Sequence, residues 1–115
     1  MLIRTDPESS QPLFEQVAGS IRAEVAAGRL RAGDRLPAAR EVAHGLDLNV
    51  HTVLHAYQAL RDEGLVELRR GRGATITPAA EALADLSTEI TALIAKARAV
   101  GLSPDSLAAL VKELA

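Results

Sequence analysis

The stretch Glu41-Val42-Ala43-His44-Gly45-Leu46-Asp47-Leu48-Asn49-Val50-His51-Thr52-Val53 decides the fold. It holds the end of one helix, a tight connection and the start of another. Val42, Ala43 and Leu46 share an apolar edge, which predicts a short helix over 38–46. Asp47-Leu48 leaves room only for a close turn. Asn49 is a good N-cap, because its side-chain oxygen accepts from backbone N–H groups of the first helical turn. The helix it opens runs to about Glu63. Val53, Ala56, Tyr57 and Leu60 recur on its inward side, and Gly64 ends it.

Working outward, Leu13, Val17, Ile21 and Val25 recur every four residues, with Phe14 and Ala18 widening the stripe. This predicts a helix over 12–27, capped by Ser10, with Pro12 in the first turn and Gly28 as its stop. Gly33-Asp34 marks a turn, Arg35-Leu36 a very short strand, and Pro37 biases Leu36 away from helix. On the other side, residues 65–69 and 74–77 are strand-like, separated by Arg70-Gly71-Arg72-Gly73 and closed by Pro78. That is a β-hairpin with a basic tip. The fold class is mainly α with a small β-hairpin. Three helices and a hairpin over 1–78 describe a winged helix-turn-helix, whose third helix lies in the DNA major groove. The same pattern also fits a three-helix domain with no DNA role.

Residues 79–115 form a second unit. Leu83, Ile90 and Ala97 lie seven apart, as do Leu86, Leu93 and Val100, and together they make a seam over three heptads. Gly101 stops that helix. Ser103-Pro104 opens another as N-cap and first residue, with Leu107, Leu110, Val111 and Leu114 along its apolar edge. The seam packs either on its own domain or across a dimer.

The 115 residues are 48% hydrophobic and 24% charged, which is globular composition. The aromatic residues are Phe14 and Tyr57, so a stacking platform for single-stranded nucleic acid is not expected. The absence of cysteine removes thiolate and disulfide chemistry. No apolar run reaches membrane-spanning length and no signal peptide is apparent, so a cytoplasmic protein without membrane contact is expected. Residues 1–78 hold ten arginines against ten acids, so the net charge of −2 arises entirely in 79–115.

The motifs resemble those of the GntR family of bacterial transcription regulators. Pro12-Leu13-Phe14-Glu15-Gln16-Val17 is similar to the family's opening motif, and Gly33-Asp34-Arg35-Leu36-Pro37 to the following loop. Ala39-Arg40-Glu41-Val42-Ala43 resembles its second helix. Leu48-Asn49-Val50-His51-Thr52-Val53 and Ala56-Tyr57-Gln58-Ala59-Leu60 resemble its recognition helix. Glu63-Gly64-Leu65-Val66 and Arg69-Arg70-Gly71-Arg72-Gly73 resemble the helix end and wing. Ala56-Tyr57 and the short two-helix tail are similar to the YtrA-like branch. Three departures stand out. Ala38 replaces the usual capping Ser, and Val50 and Leu54 stand where many members carry DNA-contacting Arg.

The resemblance implies a DNA contact for Arg40, which can meet a phosphate or pair with guanine O6 and N7. A surface salt bridge to Glu41 or Glu63 is the alternative. His51 and Thr52, in the first turn of the recognition helix, are candidate contacts, with His55 one turn later. Asn49 is a cap first and a phosphate contact second. Arg69, Arg70 and Arg72 flank Gly71 on the wing, where arginine suits a narrow minor groove and glycine permits positive φ. Arg35 is a backbone-contact candidate. His51 and His55 also have the spacing of a two-histidine metal site, but no third ligand accompanies them, so neither metal nor cofactor is expected.

The resemblance further implies a homodimer through Leu83, Leu86, Ile90, Leu93, Ala97 and Val100. Such a dimer reads double-stranded DNA at an inverted repeat with half-sites about 10 bp apart or a multiple of that. It also allows a small-molecule effector. The sequence-derived expectation is a sequence-specific regulator, more simply a repressor than an activator. The neutral balance of 1–78 leaves a protein-binding winged helix as the competing reading. No nucleophile–base pair, acidic dyad or phosphate loop is visible, so no enzymatic activity is expected.

Overall fold

A computed structural model describes residues 3–71 and 73–115. The first apolar stripe becomes α1, Leu13–Ala26, which buries Val17, Ala18, Ile21 and Val25. Its N-cap is Pro12 and not Ser10, and no side chain caps it. The residues before it are held by other bonds. Gln16 Nε2 donates to the carbonyls of Asp6 and Gln11, at 3.0 and 2.8 Å. Ser20 and the main chain of Arg4 exchange hydrogen bonds in both directions.

Helix α2 spans Ala39–Leu46 and α3 spans Val50–Asp62. Asp47 sits between them at φ 55° and ψ 48°, the left-handed conformation that Asp tolerates better than most residues. Leu48 N–H returns to the Ala43 carbonyl at 2.8 Å, which closes the turn. Val42 and Ala43 from α2 and Val53, Ala56, Tyr57 and Leu60 from α3 join the α1 stripe in one core.

The hairpin pairs β1, Val66–Arg69, with β2, Gly73–Ile76, antiparallel, with Val66 opposite Ile76 and Arg69 opposite Gly73. The expected short strand at Arg35-Leu36 reduces to an isolated bridge from Arg35 to Thr75. Backbone bonds from Leu36 N–H to Ala74 O at 2.9 Å and from Ile76 N–H to Asp34 O at 2.8 Å bind that segment to β2. Val66, Ala74 and Ile76 cap the core from this side.

The tail is α4, Ala79–Ala99, and α5, Pro104–Leu114. Ala80 lies in the core of the winged unit and Leu83 packs against it. Ser103 Oγ caps α5 by accepting from Ser106 N–H at 3.1 Å. Beyond Leu83 the tail stands away from the core. The radius of gyration is 15.1 Å, against roughly 13 Å for a compact chain of this length, and the projecting tail accounts for the difference.

Candidate nucleic-acid interface

Helical periodicity divides α3 into two faces. Val53, Ala56, Tyr57 and Leu60 are buried, while His51, Leu54, His55 and Gln58 are exposed on the other side. The N-terminus is built by Asn49, whose Oδ1 accepts from His51 N–H at 2.8 Å. This end of a helix carries partial positive charge, which favours an anion. Among the predicted residues, Asn49, His51, Thr52 and His55 come together. They line a recess of about 400 Å³ with Leu13 and Phe14 of α1.

His55 has a partner that helical spacing within α3 does not reveal. Its ring stacks on Phe14, with centroids 3.7 Å apart and 14° between the planes. One face of the imidazole is therefore covered, and polar contacts must use its edge. Phe14 has a double role, as part of the α1 stripe and as one wall of the recess.

Arg40 is exposed in the first turn of α2 and has no ion pair or hydrogen bond among the described residues. Glu63, one of its expected alternative partners, is engaged instead by Arg22 through two bonds of 2.9 and 2.8 Å. Several other arginines are likewise occupied. Arg29 forks onto the buried Glu24, Arg31 approaches Glu81 at 3.6 Å and Arg61 approaches Asp62 at 3.3 Å. Hydrogen bonds from Arg29 hold the Glu24 carboxyl below its usual pKa. Arg70 resembles Arg40 in being exposed with no such partner.

The wing arginines do not share one environment. Arg69 Nε donates to Glu67 at 2.8 Å on the same face of β1. Arg35 lies beside that pair, in a groove of about 350 Å³ lined also by Gly33, Glu67 and Thr75. Gly71 adopts φ +78°, a conformation that a side chain would strain. Arg72 lies outside the described residues.

A second groove, of about 370 Å³, runs between α3 and the wing. Its lining comes from Pro37, Ala38 and Ala39 before and at the start of α2, from Leu54 and Tyr57 of α3, and from Leu68, Arg69 and Arg70 of the wing. Tyr57 fixes its geometry. The phenol is buried and its OH donates to the Pro37 carbonyl at 2.6 Å, on the chain that leads into α2. Burial, with the charge of Glu41 nearby, pushes its pKa up to about 12.

The heptad positions of α4 divide as well. Leu83 is half-buried and Ala97 is buried within the chain. Leu86, Ile90, Leu93 and Val100 remain 43–79% exposed. Among the described residues, no group of three or more His, Asp or Glu is placed to hold a metal ion, and no helix is long and apolar enough to cross a membrane.

Comparison with known proteins agrees with this architecture. Residues 13–76 match the family described as bacterial regulatory proteins, gntR family. The HTH-type transcriptional repressor YtrA of Bacillus subtilis (strain 168) is 32% identical over 98% of this chain and 92% of its own. The structure of YtrA from Sulfolobus acidocaldarius, a GntR-family transcription factor, superposes with a TM-score of 0.64 at 32% identity, covering 86% of this chain and 99% of that one. AraR(DBD), solved in complex with operator ORX1, is 22% identical, with a TM-score of 0.58 over 64% of this chain and 92% of its own. That likeness shows a shared fold. The two YtrA relatives are named as transcription regulators. The chain belongs to the GntR family of bacterial regulatory proteins, as a winged helix-turn-helix transcription regulator of the YtrA-like branch.

Proposed function

We propose that the chain is a homodimeric repressor that occludes a promoter by binding an inverted-repeat operator. In this reading residues 1–78 bind DNA and residues 79–115 dimerise. Helix α3 enters the major groove, with its N-terminus and His51, Thr52 and His55 toward the duplex. The wing approaches the minor groove or backbone through Arg69, Arg70, Gly71 and Arg72, and Arg35 approaches the backbone. The observation that carries the proposal is the pairing pattern of the arginines. Arg22, Arg29, Arg31, Arg61 and Arg69 are matched by carboxylates, whereas Arg40 on α2 and Arg70 on the wing have no carboxylate partner among the described residues. Such guanidinium groups, carried by α2 and by the wing, which both pack against α3, suit phosphate contact.

Dimerisation through Leu86, Ile90, Leu93 and Val100 is supported by their exposure. An effector, in this reading, acts where α4 leaves the winged unit, and the protein works in the cytoplasm. The test is binding to genomic fragments, including the region upstream of its own gene, across a salt series. A footprint over an inverted repeat, with affinity falling steeply as salt rises, is expected. Arg40→Ala should weaken that binding by about 1–3 kcal/mol if Arg40 reads a base. Affinity that does not respond to salt rejects phosphate contact and favours the protein-binding reading. Sedimentation as a monomer at micromolar concentration rejects the dimer.

A further inference from the structure

We propose that Leu54 reads the 5-methyl group of a thymine in the operator. The proposal rests on the reading of α3 as the helix that enters the major groove, and it names the base chemistry that this helix selects.

Leu54 is 39% exposed on a face that otherwise carries His51, His55 and Gln58. Val50, one turn earlier, is half-buried and packs on the core, so Leu54 is the apolar residue that this face leaves outside. It borders the groove between α3 and the wing, whose walls at Pro37, Ala38, Ala39, Tyr57 and Leu68 are also largely apolar. An arginine at this position would seek guanine or phosphate. A leucine offers no hydrogen bond and penalises a polar base edge placed against it, because that edge would lose water without gaining a partner. Among the groups that base pairs display in the major groove, the thymine methyl is the apolar one. Arg70, which has no carboxylate partner among the described residues, lines the same groove, beside Arg69 and its partner Glu67. Arg70 supplies positive charge that can hold a phosphate beside the apolar lining, which favours DNA as the occupant over an apolar peptide.

The experiment uses the full chain. A preferred duplex is selected from a randomised pool, and each thymine is then replaced singly by deoxyuridine, which removes only the methyl. Binding constants are measured at one salt concentration. At one thymine per half-site the replacement should weaken binding roughly fourfold, the worth of one buried methyl. Leu54→Ala should bind the thymine and deoxyuridine duplexes alike at that position, with its salt dependence unchanged because no phosphate contact is lost. Circular dichroism confirms that the variant is folded. The proposal is overturned if no thymine replacement affects the natural chain, or if Leu54→Ala keeps the same loss. A selection that yields no preferred duplex overturns the regulator reading itself, a result distinct from an operator that is bound but indifferent to its methyl groups.

Discussion

The tail is richer in apolar residues than the winged unit, 22 of 37 against 33 of 78, yet buries far fewer of them. In the winged unit, Val17, Ala18, Ile21, Val53, Ala56 and Leu60 are all fully buried. In the tail, Leu86, Leu93, Leu110, Val111 and Leu114 are all at least 46% exposed, and α5 buries nothing. Helix α4 belongs to both regions, since its first turns lie on the core and its remainder projects. Apolar area removed from water contributes roughly 25 cal/mol per Å². The winged unit therefore collects most of its stability within one chain, while the tail exposes the surface that a second chain would need. Heptad spacing makes a seam, but only the partner available decides where it is buried.

The contrast can be broken most forcefully at matched leucines. Leu60→Ala should lower the unfolding free energy by about 2–5 kcal/mol. Leu93→Ala should cost less than about 1 kcal/mol in dilute single-chain unfolding and should instead shift the sedimentation equilibrium toward monomer. Equal losses by denaturant titration would show that both regions are one cooperative core.

Alkaline titration sharpens the comparison within the winged unit. Tyr57 is the sole tyrosine, with no tryptophan to obscure it, and its folded pKa of about 12 exceeds the usual value. The folded state thus retains a proton that the unfolded chain has lost. This contribution is fully present below about pH 10 and is lost as pH rises toward 12, amounting to roughly 2–3 kcal/mol. Ultraviolet absorbance should show phenolate forming only near the unfolding transition. Titration of folded protein at pH 10 would contradict the buried hydrogen bond to Pro37.

Smaller effects are expected at the helix starts. Asn49→Ala removes the bond to His51 N–H and should cost about 1 kcal/mol. Helix α2 starts at Ala38 without a side-chain cap. Ala38→Ser should therefore stabilise the winged unit by about 0.5–1 kcal/mol, measured as a higher denaturant midpoint.

The helices and the hairpin were legible because their signals are local. Asn49 caps α3, Ser103 caps α5, and Val53, Ala56, Tyr57 and Leu60 lie on one face by spacing alone. What escaped the sequence involves partners distant along the chain. The stacking of Phe14 on His55 spans 41 residues, as does the Arg22–Glu63 bridge. The choice of Pro12 over Ser10 at the start of α1 follows from how the preceding segment is tied to Gln16 and Ser20. The heptad pattern placed the α4 residues along one stripe. It did not indicate that Leu83 and Ala97 would be taken up by their own chain.

Helix α1 touches both α3 and α4, and this gives it a mechanical role. Over 14 residues it is a rod about 21 Å long. Arg22 ties it to Glu63, just past the far end of α3, while Ala80 and Leu83 of α4 pack on the core that includes its stripe. Helix α1 is thus the joint shared by the reading domain's core and the root of the tail. Arg22 pins that joint to the end of α3 from outside the residues proposed to meet DNA.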